Sequence, residues 1–333
     1  TEDKKFLTGK GRYTDDINRP GQVQAYFLRS DVAHAEIKSI DIKAAQSAPG
    51  VVGVFTGADI AADKVGGPIC GWVVPCRDGS STKEPPHPLL AQGKVRFVGD
   101  AVAVVVAETM EQAKSAAELI DVDYNELTPV VDFVNADKGA QIHEEVPNNC
   151  YFDWELGDES ATNKAIESAA KVVKLSVRNN RLVPNAMEPR SALAEYDSLD
   201  ESYTLHTTSQ NPHLTRLVLA AFMFAIPESK LRVIAPDVGG GFGSKIYVYI
   251  EEAVCVWASK KIGRPVKWTA DRTQAFLTDC HGRDHVNDVQ LALDENNKII
   301  GLRVDTVCNL GAYLSAFSVC LLYTSPSPRD TRE

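Results

Sequence analysis

The order of apolar and polar residues over the first 132 positions predicts short strands that alternate with helices. A continuous apolar run, Ala101–Ala107, is typical of a strand that is buried on both faces. Thr109 and Gln112 have the spacing of a capping box, which predicts a helix through Leu119 and a strand–helix–strand unit. The other strands predicted in this part are Val23–Arg29, 37–42 and 121–124. The pattern therefore predicts a mixed α/β fold, with a first domain over residues 1–132.

A polar stretch without periodicity, residues 133–158, predicts a linker to a second domain over residues 159–320. Asn211 is a good N-cap and Pro212 suits the first helical position, so a helix is predicted to begin there. A second helix is predicted from Lys245 onward, with Gly263 just past its end. The strands predicted in this domain are 171–177, 192–196, 203–208 and a hairpin of 288–293 with 299–307.

The segment DVGGGFGSK, residues 237–245, is the most unusual stretch of the chain. Four glycines lie in five positions, between the apolar run 231–235 and the helix predicted from Lys245. Glycine costs conformational entropy, so a cluster indicates a backbone that takes positive φ angles or approaches another group closely. Bare N–H groups beside a helix N-terminus are typical of a site for an anionic or strongly polar ligand. The alternative is a tight turn that only lets helix and strand pack.

Two common nucleotide-binding templates do not fit this glycine run. A P-loop has lysine directly after its last glycine and a hydroxyl residue next, whereas here Ser244 intervenes and Ile246 follows the lysine. In the dinucleotide fingerprint, Gly239 and Gly241 match the first two positions, but Ser244 occupies the third. Neither ATP nor NAD is therefore the expected ligand.

Gln210 lies at a second turn from strand to helix, between the strand pattern 203–208 and the helix capped by Asn211. Ligands of α/β proteins gather at the carboxyl ends of strands. We therefore expect Gln210 and the glycine run to face one pocket.

The bulk composition suits a globular protein of about two domains. The net charge of −10 over 333 residues argues against nucleic acid or an anionic membrane as a main partner. The longest apolar run, residues 217–226, is too short to span a bilayer, so no membrane insertion is expected. The seven cysteines form no C-x-x-C pair, which predicts no zinc or iron–sulfur site within the chain and fits reduced thiols in a cytosol.

Three motifs, in this order, resemble the large subunit of molybdenum hydroxylases: MEPR at 187–190, SQNPH at 209–213, and the segment 237–245. That family includes xanthine dehydrogenase, aldehyde oxidase and aerobic carbon monoxide dehydrogenase, and the last branch is the most similar. The start FLTGKGRY, residues 6–13, is similar to the beginning of the family's α/β hammerhead domain. The resemblance extends to about Phe317. It implies a hammerhead domain over 1–132 and the first part of a molybdopterin-binding domain over 159–320.

The resemblance implies a molybdopterin cofactor with molybdenum, in its cytosine dinucleotide form. The metal would be held by sulfurs of the cofactor, so no metal-ligating side chain is expected. The Gln210 amide would hydrogen-bond near the oxygen ligands of the metal. Gly240, Gly241, Phe242 and Gly243 would contact the cofactor through backbone N–H groups.

The implied reaction is oxidative hydroxylation of a carbonyl or heteroaromatic carbon, or of carbon monoxide, with water as the oxygen source. Electrons would pass to an iron–sulfur small subunit carrying 2Fe-2S and to a medium subunit that binds FAD. We expect a dimer of heterotrimers in the cytoplasm. Purine-oxidising relatives carry glutamate where Ile246 stands, which disfavours a purine and leaves carbon monoxide, aldehydes and N-heterocycles open.

The C-terminal part of the chain departs from the family. Members carry a substrate loop after the region that matches residues 311–313 and a late glutamate that acts as general base, and neither has a counterpart in this sequence. Residues 321–333 read instead like translated sequencing adapter, so we expect an artefactual tail on a C-terminally truncated chain. No catalytic residue is therefore assigned, and the fragment alone is expected to be inactive.

Other interpretations stay open from the sequence. The chain could be a non-catalytic cofactor-binding or assembly module, or a flavin- or nicotinamide-dependent dehydrogenase, which the failed fingerprint disfavours. Glu188 and Arg190 are either a pocket pair or a buried structural ion pair. His281 and His285 have the spacing of a zinc helix, but Gly282 lies between them and a strand follows, so a structural role is expected.

Overall fold

The structure, a computed structural model, describes residues 3–318. Its strands are β1 Val23–Arg29, β2 Ala35–Asp41, β3 Val51–Thr56, β4 Lys94–Val95, β5 Ala101–Ala107, β6 Asp121–Glu126, β7 Lys171–Asn179, β8 Ser191–Asp197, β9 Ser202–Thr207, β10 Leu231–Ile234, β11 Val266–Thr269, β12 His285–Leu293 and β13 Ile299–Cys308. Its α-helices are α1 Asp3–Leu7, α2 Lys43–Gln46, α3 Gly57–Ala62, α4 Met110–Ala117, α5 Glu159–Glu167, α6 Pro212–Leu217, α7 Ile250–Ile262 and α8 Arg272–Thr278. Turns of 3-10 helix lie at Thr14–Asp16, Phe133–Lys138, Pro147–Asn149, Glu228–Lys230 and Ser244–Ile246, and α6 continues into a π-helical segment, Val218–Met223.

The described residues form two compact units, each built from separate chain segments. The first contains residues 3–70, 86–129 and 184–280, and the second contains 71–85, 130–183 and 281–318. The segments of the two units alternate along the chain. The domain boundaries predicted from the sequence stay a prediction, and the predicted artefactual tail, residues 321–333, lies outside the described residues.

A seven-stranded sheet with the order β10-β9-β8-β11-β1-β5-β3 forms the centre of the first unit. The pairs β9/β10 and β1/β11 are parallel, and the other neighbours are antiparallel. Every residue of β5 is buried, as its continuous apolar run predicts. Helix α7 packs against β8, β9 and β11, and its buried face joins Trp268 and Leu205 in one hydrophobic core.

The predicted strand–helix–strand unit is present, but its two strands lie in different sheets. Thr109 and Gln112 close the predicted capping box at the start of α4. Strand β5 belongs to the seven-stranded sheet, whereas β6 pairs with β2 in a separate sheet of order β4-β2-β6. Only Val122 and Tyr124 are apolar in β6, so this strand suits an outer sheet with one covered face rather than the buried main sheet.

The second unit contains the sheet β13-β12-β7. The hairpin predicted near residues 288–307 is confirmed as β12 and β13, and β7 pairs antiparallel with β12 along its whole length. On one face of this sheet, Gly301 lies under Ala165 of α5, where a β-carbon on the glycine would be only 2.9 Å from the alanine methyl group. Within residues 3–318, no helix combines the length and the apolar character that crossing a membrane requires.

Candidate functional site

Strands β9 and β10 end at the same edge of the seven-stranded sheet. They are parallel neighbours, with Leu231 opposite Tyr203 and Ile234 opposite His206. Gln210 follows β9, and the glycine run (residues 239–243) follows β10. The two turns meet, because the Gln210 side chain bonds directly to the backbone of residues 243 and 245, and the pocket that they were expected to share stays a prediction.

The Gln210 amide is held in one orientation by backbone donors. Its Oε1 accepts hydrogen bonds from the N–H groups of Gly243 (3.0 Å) and Lys245 (3.2 Å). Its own backbone N–H donates to the Lys245 carbonyl at 2.8 Å. Because a backbone N–H can only donate, the oxygen must face the loop and the amide nitrogen must face away. The exposed Nε2 group donates to no residue in the described part of the chain.

Next to Gln210, the middle of the glycine run has unpaired donors. The N–H groups at its two ends are used, since Gly239 donates to Glu188 Oε2 at 2.6 Å and Gly243 donates to Gln210. The N–H groups of Gly240, Gly241 and Phe242 donate to no acceptor among residues 3–318. Three consecutive free donors form a site suited to a group that accepts several hydrogen bonds.

Gly241 is required by the close approach of Gln210. A β-carbon built on Gly241 would lie 2.5 Å from Gln210 Cδ, which is closer than side chains pack. The neighbouring Phe242 adopts a left-handed backbone with φ of 50°, and 75% of the residue is exposed. This conformation is unusual for a bulky side chain and is maintained only where surrounding contacts fix it.

The prediction that a helix starts at Lys245 is wrong. A 3-10 turn covers Ser244–Ile246, an extended segment follows, and α7 begins only at Ile250. The hydroxyl of Tyr249 donates to the Ser244 carbonyl at 2.5 Å and accepts from the distant Cys280 N–H at 3.0 Å, so a local and a tertiary contact together fix the extended segment. The sequence suggested that the donors of the glycine run lie at the N-terminus of a helix. In the structure they belong to the loop itself.

Two family models match the chain. The model described as "Aldehyde oxidase and xanthine dehydrogenase, a/b hammerhead domain" matches residues 8–128. The model described as "Molybdopterin cofactor-binding domain" matches residues 142–326, which is more than half of the 333 residues. The chain belongs to the molybdenum hydroxylase large-subunit family. The predicted order of a hammerhead domain followed by a molybdopterin-binding domain is confirmed.

Individual relatives of this family are similar over nearly the whole chain. The carbon monoxide dehydrogenase large chain of Hydrogenophaga pseudoflava is 35% identical over 326 residues, which covers 94% of this chain and 39% of the relative. The nicotine 6-hydroxylase large subunit of Paenarthrobacter nicotinovorans is 35% identical over 316 residues, which covers 94% of this chain and 38% of the relative. Among solved structures, quinoline 2-oxidoreductase from Pseudomonas putida 86 matches with a TM-score of 0.83 and 36% identity, over 94% of this chain and 39% of that chain. The chain thus spans only about 39% of the length of these two curated relatives.

The donor set at the glycine run fits the molybdopterin cofactor of the molybdenum hydroxylase family. The cofactor is polar and anionic, so it requires hydrogen-bond donors. Gly240, Gly241 and Phe242 offer theirs, and Gln210 Nε2 lies free beside them. The Gly243 N–H, which was also expected to contact the cofactor, is already bonded to Gln210.

Glu188 and Arg190 do not pair with each other, although they are only two residues apart. Glu188 Oε2 accepts from Lys245 Nζ at 3.0 Å, whereas Arg190 binds Glu251. Burial lowers the pKa of Lys245, and the hydrogen bond to Glu188 opposes this shift. The burial of Lys245 was not predictable from the sequence, because lysine in a polar loop is usually exposed.

Arg190 lies in a buried charge network that the sequence did not reveal. Its Nε donates to Asp279 at 2.6 Å, and its terminal nitrogens donate to both oxygens of Glu251 at 2.8 and 3.3 Å. Arg29 also binds Glu251 at 2.7 Å. Burial opposes ionisation of Glu251, but the charges of Arg190 and Arg29 outweigh it and lower the pKa of the carboxyl to about 2. The guanidinium carbon of Arg190 lies 3.6 Å from the ring centre of Tyr249, the residue that fixes the segment before α7.

A cleft of about 370 Å³ lies beside Gly239. Its lining residues include Asp15, Asp16 and Glu188. The free donors of residues 240–242 are not part of its lining. Among residues 3–318, no group of three or more His, Cys, Asp or Glu side chains is placed to hold a metal ion.

Proposed function

We propose that this chain supplies part of the cofactor pocket of a molybdenum hydroxylase that carries out oxidative hydroxylation with water. The observation that supports this proposal best is the row of free N–H groups at Gly240, Gly241 and Phe242 beside the fixed Gln210 amide. The other parts of the loop are already bonded internally. The free donors are therefore the groups on which a ligand can act.

The chain's own residues bind and orient the cofactor in this proposal. The three backbone donors hold its anionic part, and each hydrogen bond to a charged acceptor contributes about 1.5–3 kcal/mol. Gln210 Oε1 is locked by the N–H groups of Gly243 and Lys245, so Nε2 is oriented in advance toward an oxygen acceptor. The bound cofactor supplies the redox-active molybdenum. We assign no general acid or base within this chain.

The proposal extends to partners and compartment. We propose the cytosine dinucleotide form of the cofactor, a small subunit with 2Fe-2S, a medium subunit with FAD, and a dimer of heterotrimers in the cytoplasm. Support comes from the relatives, which are a "large chain", a "large subunit" and a dehydrogenase "complex subunit gamma". The described cysteines are free thiols, which agrees with a reducing compartment.

For the substrate we propose carbon monoxide, an aldehyde or an N-heterocycle, and not a purine. Relatives named for carbon monoxide, nicotine and quinoline support this range. Ile246 ends the 3-10 turn that follows the glycine run, so an apolar side chain stands where purine-oxidising relatives carry glutamate. An assay of one compound from each class, with a purine as the fourth, tests the assignment. Oxidation of the purine alone would contradict it.

The decisive experiment measures cofactor content. The full-length protein is co-expressed with its partner subunits and with molybdopterin maturation enzymes, purified, and analysed for molybdenum and pterin. We expect both in stoichiometric amounts. A folded, assembled enzyme that contains neither would reject the proposed function.

A further inference from the structure

We infer that Glu188 and Lys245 form a clamp that positions the free donors of the glycine run. This inference rests on the proposed cofactor role of the run. Neither residue is assigned contact with the cofactor, so both are positioning residues.

One carboxylate ties the two ends of the loop together. Glu188 Oε2 accepts from the Gly239 N–H at 2.6 Å, at the start of the run, and from Lys245 Nζ at 3.0 Å, just past its end. Lys245 Nζ also donates to the Glu188 carbonyl at 2.7 Å, and the Glu188 N–H donates to the Gly239 carbonyl at 3.2 Å. The Glu188 side chain therefore fixes the distance between the two ends of the loop, residues 239 and 245.

The clamp is largely shielded from water. The side chain of Lys245 is 1% exposed and that of Glu188 is 13% exposed. An ion pair in such a site is only weakly screened, and loss of one partner leaves a buried group without compensation. Glu188 Oε1 is buried and has no hydrogen-bond partner in the described part of the chain, so Oε2 carries all the side-chain hydrogen bonds of Glu188 there.

The middle of the loop is strained, and in the part of the chain that the structure describes its own hydrogen bonds reach only to the neighbouring Ser244, whose N–H and Oγ donate to the Gly241 carbonyl at 2.9 and 3.0 Å. Phe242 has a φ of 50° and is mostly exposed, so its own side chain does not hold the left-handed conformation. Gln210 binds the second half of the loop, at Gly243 and Lys245. Among residues 3–318, Glu188 alone bonds to both ends of the loop, which makes it the group that sets the direction of the N–H groups between them.

The test compares Lys245→Met and Glu188→Gln with a matched control, Lys261→Met, in the full-length enzyme produced with its partners and maturation enzymes. Lys261 also pairs with one carboxylate, Asp63 at 2.8 Å, but is 43% exposed and lies at the end of α7. Two quantities are measured: pterin and molybdenum content, and hydrogen exchange at the amides of residues 239–245. Exchange in the buried strand β5 reports global stability.

We expect Lys245→Met to lower cofactor content about tenfold or more and to speed exchange in the loop while β5 stays protected. Glu188→Gln should have an intermediate effect, because its amide oxygen can still accept from Gly239. Lys261→Met should match the unmodified enzyme in both measurements. This separation between loop and core distinguishes positioning from a general structural role.

Unchanged cofactor content and loop exchange in Lys245→Met would overturn the clamp. If Lys245→Met loses protection in β5 as well, the test rests on Glu188→Gln. Loop amide exchange in Glu188→Gln equal to that of the unmodified enzyme would likewise overturn the inference. An unmodified enzyme without molybdopterin would reject the proposed function instead. The exchange data would in that case still show whether Glu188 and Lys245 hold the loop.

Discussion

The glycine run and the Arg190 network are linked through Tyr249, yet they differ in what they leave unpaired. Arg190 donates to Glu251 and Asp279, and its guanidinium carbon lies over the Tyr249 ring. The glycine run, whose Ser244 neighbour accepts from the Tyr249 hydroxyl, keeps a row of N–H groups without partners. Buried charges are thus satisfied in one region, and backbone donors are left free in the other.

This difference indicates that the Arg190 network supports the fold and that the glycine run binds a ligand. Buried charged groups are costly unless they are paired, so a network of paired charges is what a scaffold requires. Free donors at a loop are costly only until a ligand bonds them. We therefore expect changes in the Arg190 network to lower the free energy of unfolding, and changes in the loop to lower cofactor retention at nearly constant stability.

The largest expected effect follows from Arg190→Met. Removal of the guanidinium leaves Asp279 and Glu251 buried with too few partners, which should cost about 3–5 kcal/mol in the free energy of unfolding. Arg264→Met is the matched control, because Arg264 forms a bidentate but exposed pair with Glu108 at 2.7 and 2.8 Å. That pair should contribute no more than about 1 kcal/mol. Equal losses for the two variants in urea denaturation would mean that Arg190 is not a special support.

Acid should weaken the Arg190 network, because Glu251 titrates. The backbone donors of the loop do not titrate. The folded-state pKa of Glu251, about 2, lies below the ordinary value of 4.5. A lowered pKa contributes stability that is present above pH 4.5 and is lost as the pH falls through about 2. The difference corresponds to roughly 3 kcal/mol at most.

Urea denaturation at a series of pH values between 6 and 2 measures this contribution. Glu251→Gln serves as the control, since it removes the titrating carboxyl and should reduce the slope of the unfolding free energy against pH. If the variant and the unmodified protein lose stability in parallel over this range, Glu251 is not the group responsible.

Gly241→Val tests the binding side of the comparison. A β-carbon at this position would lie 2.5 Å from Gln210 Cδ, so the amide must leave its place over the loop. Loss of several oriented donors at once should reduce molybdenum content by about a hundredfold. The control is Gly282→Val, because a β-carbon on Gly282 meets no atom within 4 Å. Normal molybdenum content in a folded Gly241→Val enzyme would refute the assigned role of the loop.

Local signals in the sequence predicted much of the fold. The bounds of β1 and β5 agree with the predicted runs at every residue, because a buried strand carries a continuous or alternating apolar pattern of its own. The caps Thr109 and Asn211 were also predictable, since a capping side chain bonds to an N–H only three residues away.

Contacts between distant parts of the chain were beyond such signals. Arg190 binds partners 61 and 89 positions further along, so no local pattern indicates which carboxylates it meets. The start of α7 was misplaced by five residues because nothing in the sequence from Lys245 to Tyr249 forbids a helix. The extended conformation there depends on the Tyr249 hydroxyl and on tertiary packing. At the site, the sequence indicated which residues meet, but not which of their donors are already used.

Gln210→Glu has the smallest expected effect and separates the two functions of one side chain. The carboxylate can still accept from Gly243 and Lys245, so amide exchange in the loop should stay close to that of the unmodified enzyme. The Nε2 donor is replaced by an oxygen that cannot donate and that repels an anionic group, which should lower cofactor content about tenfold. Gln210→Leu removes acceptor and donor together and should speed loop exchange as well. If Gln210→Glu retains the full cofactor content, the outward face of Gln210 does not bind the cofactor, and only its contact with the loop is needed.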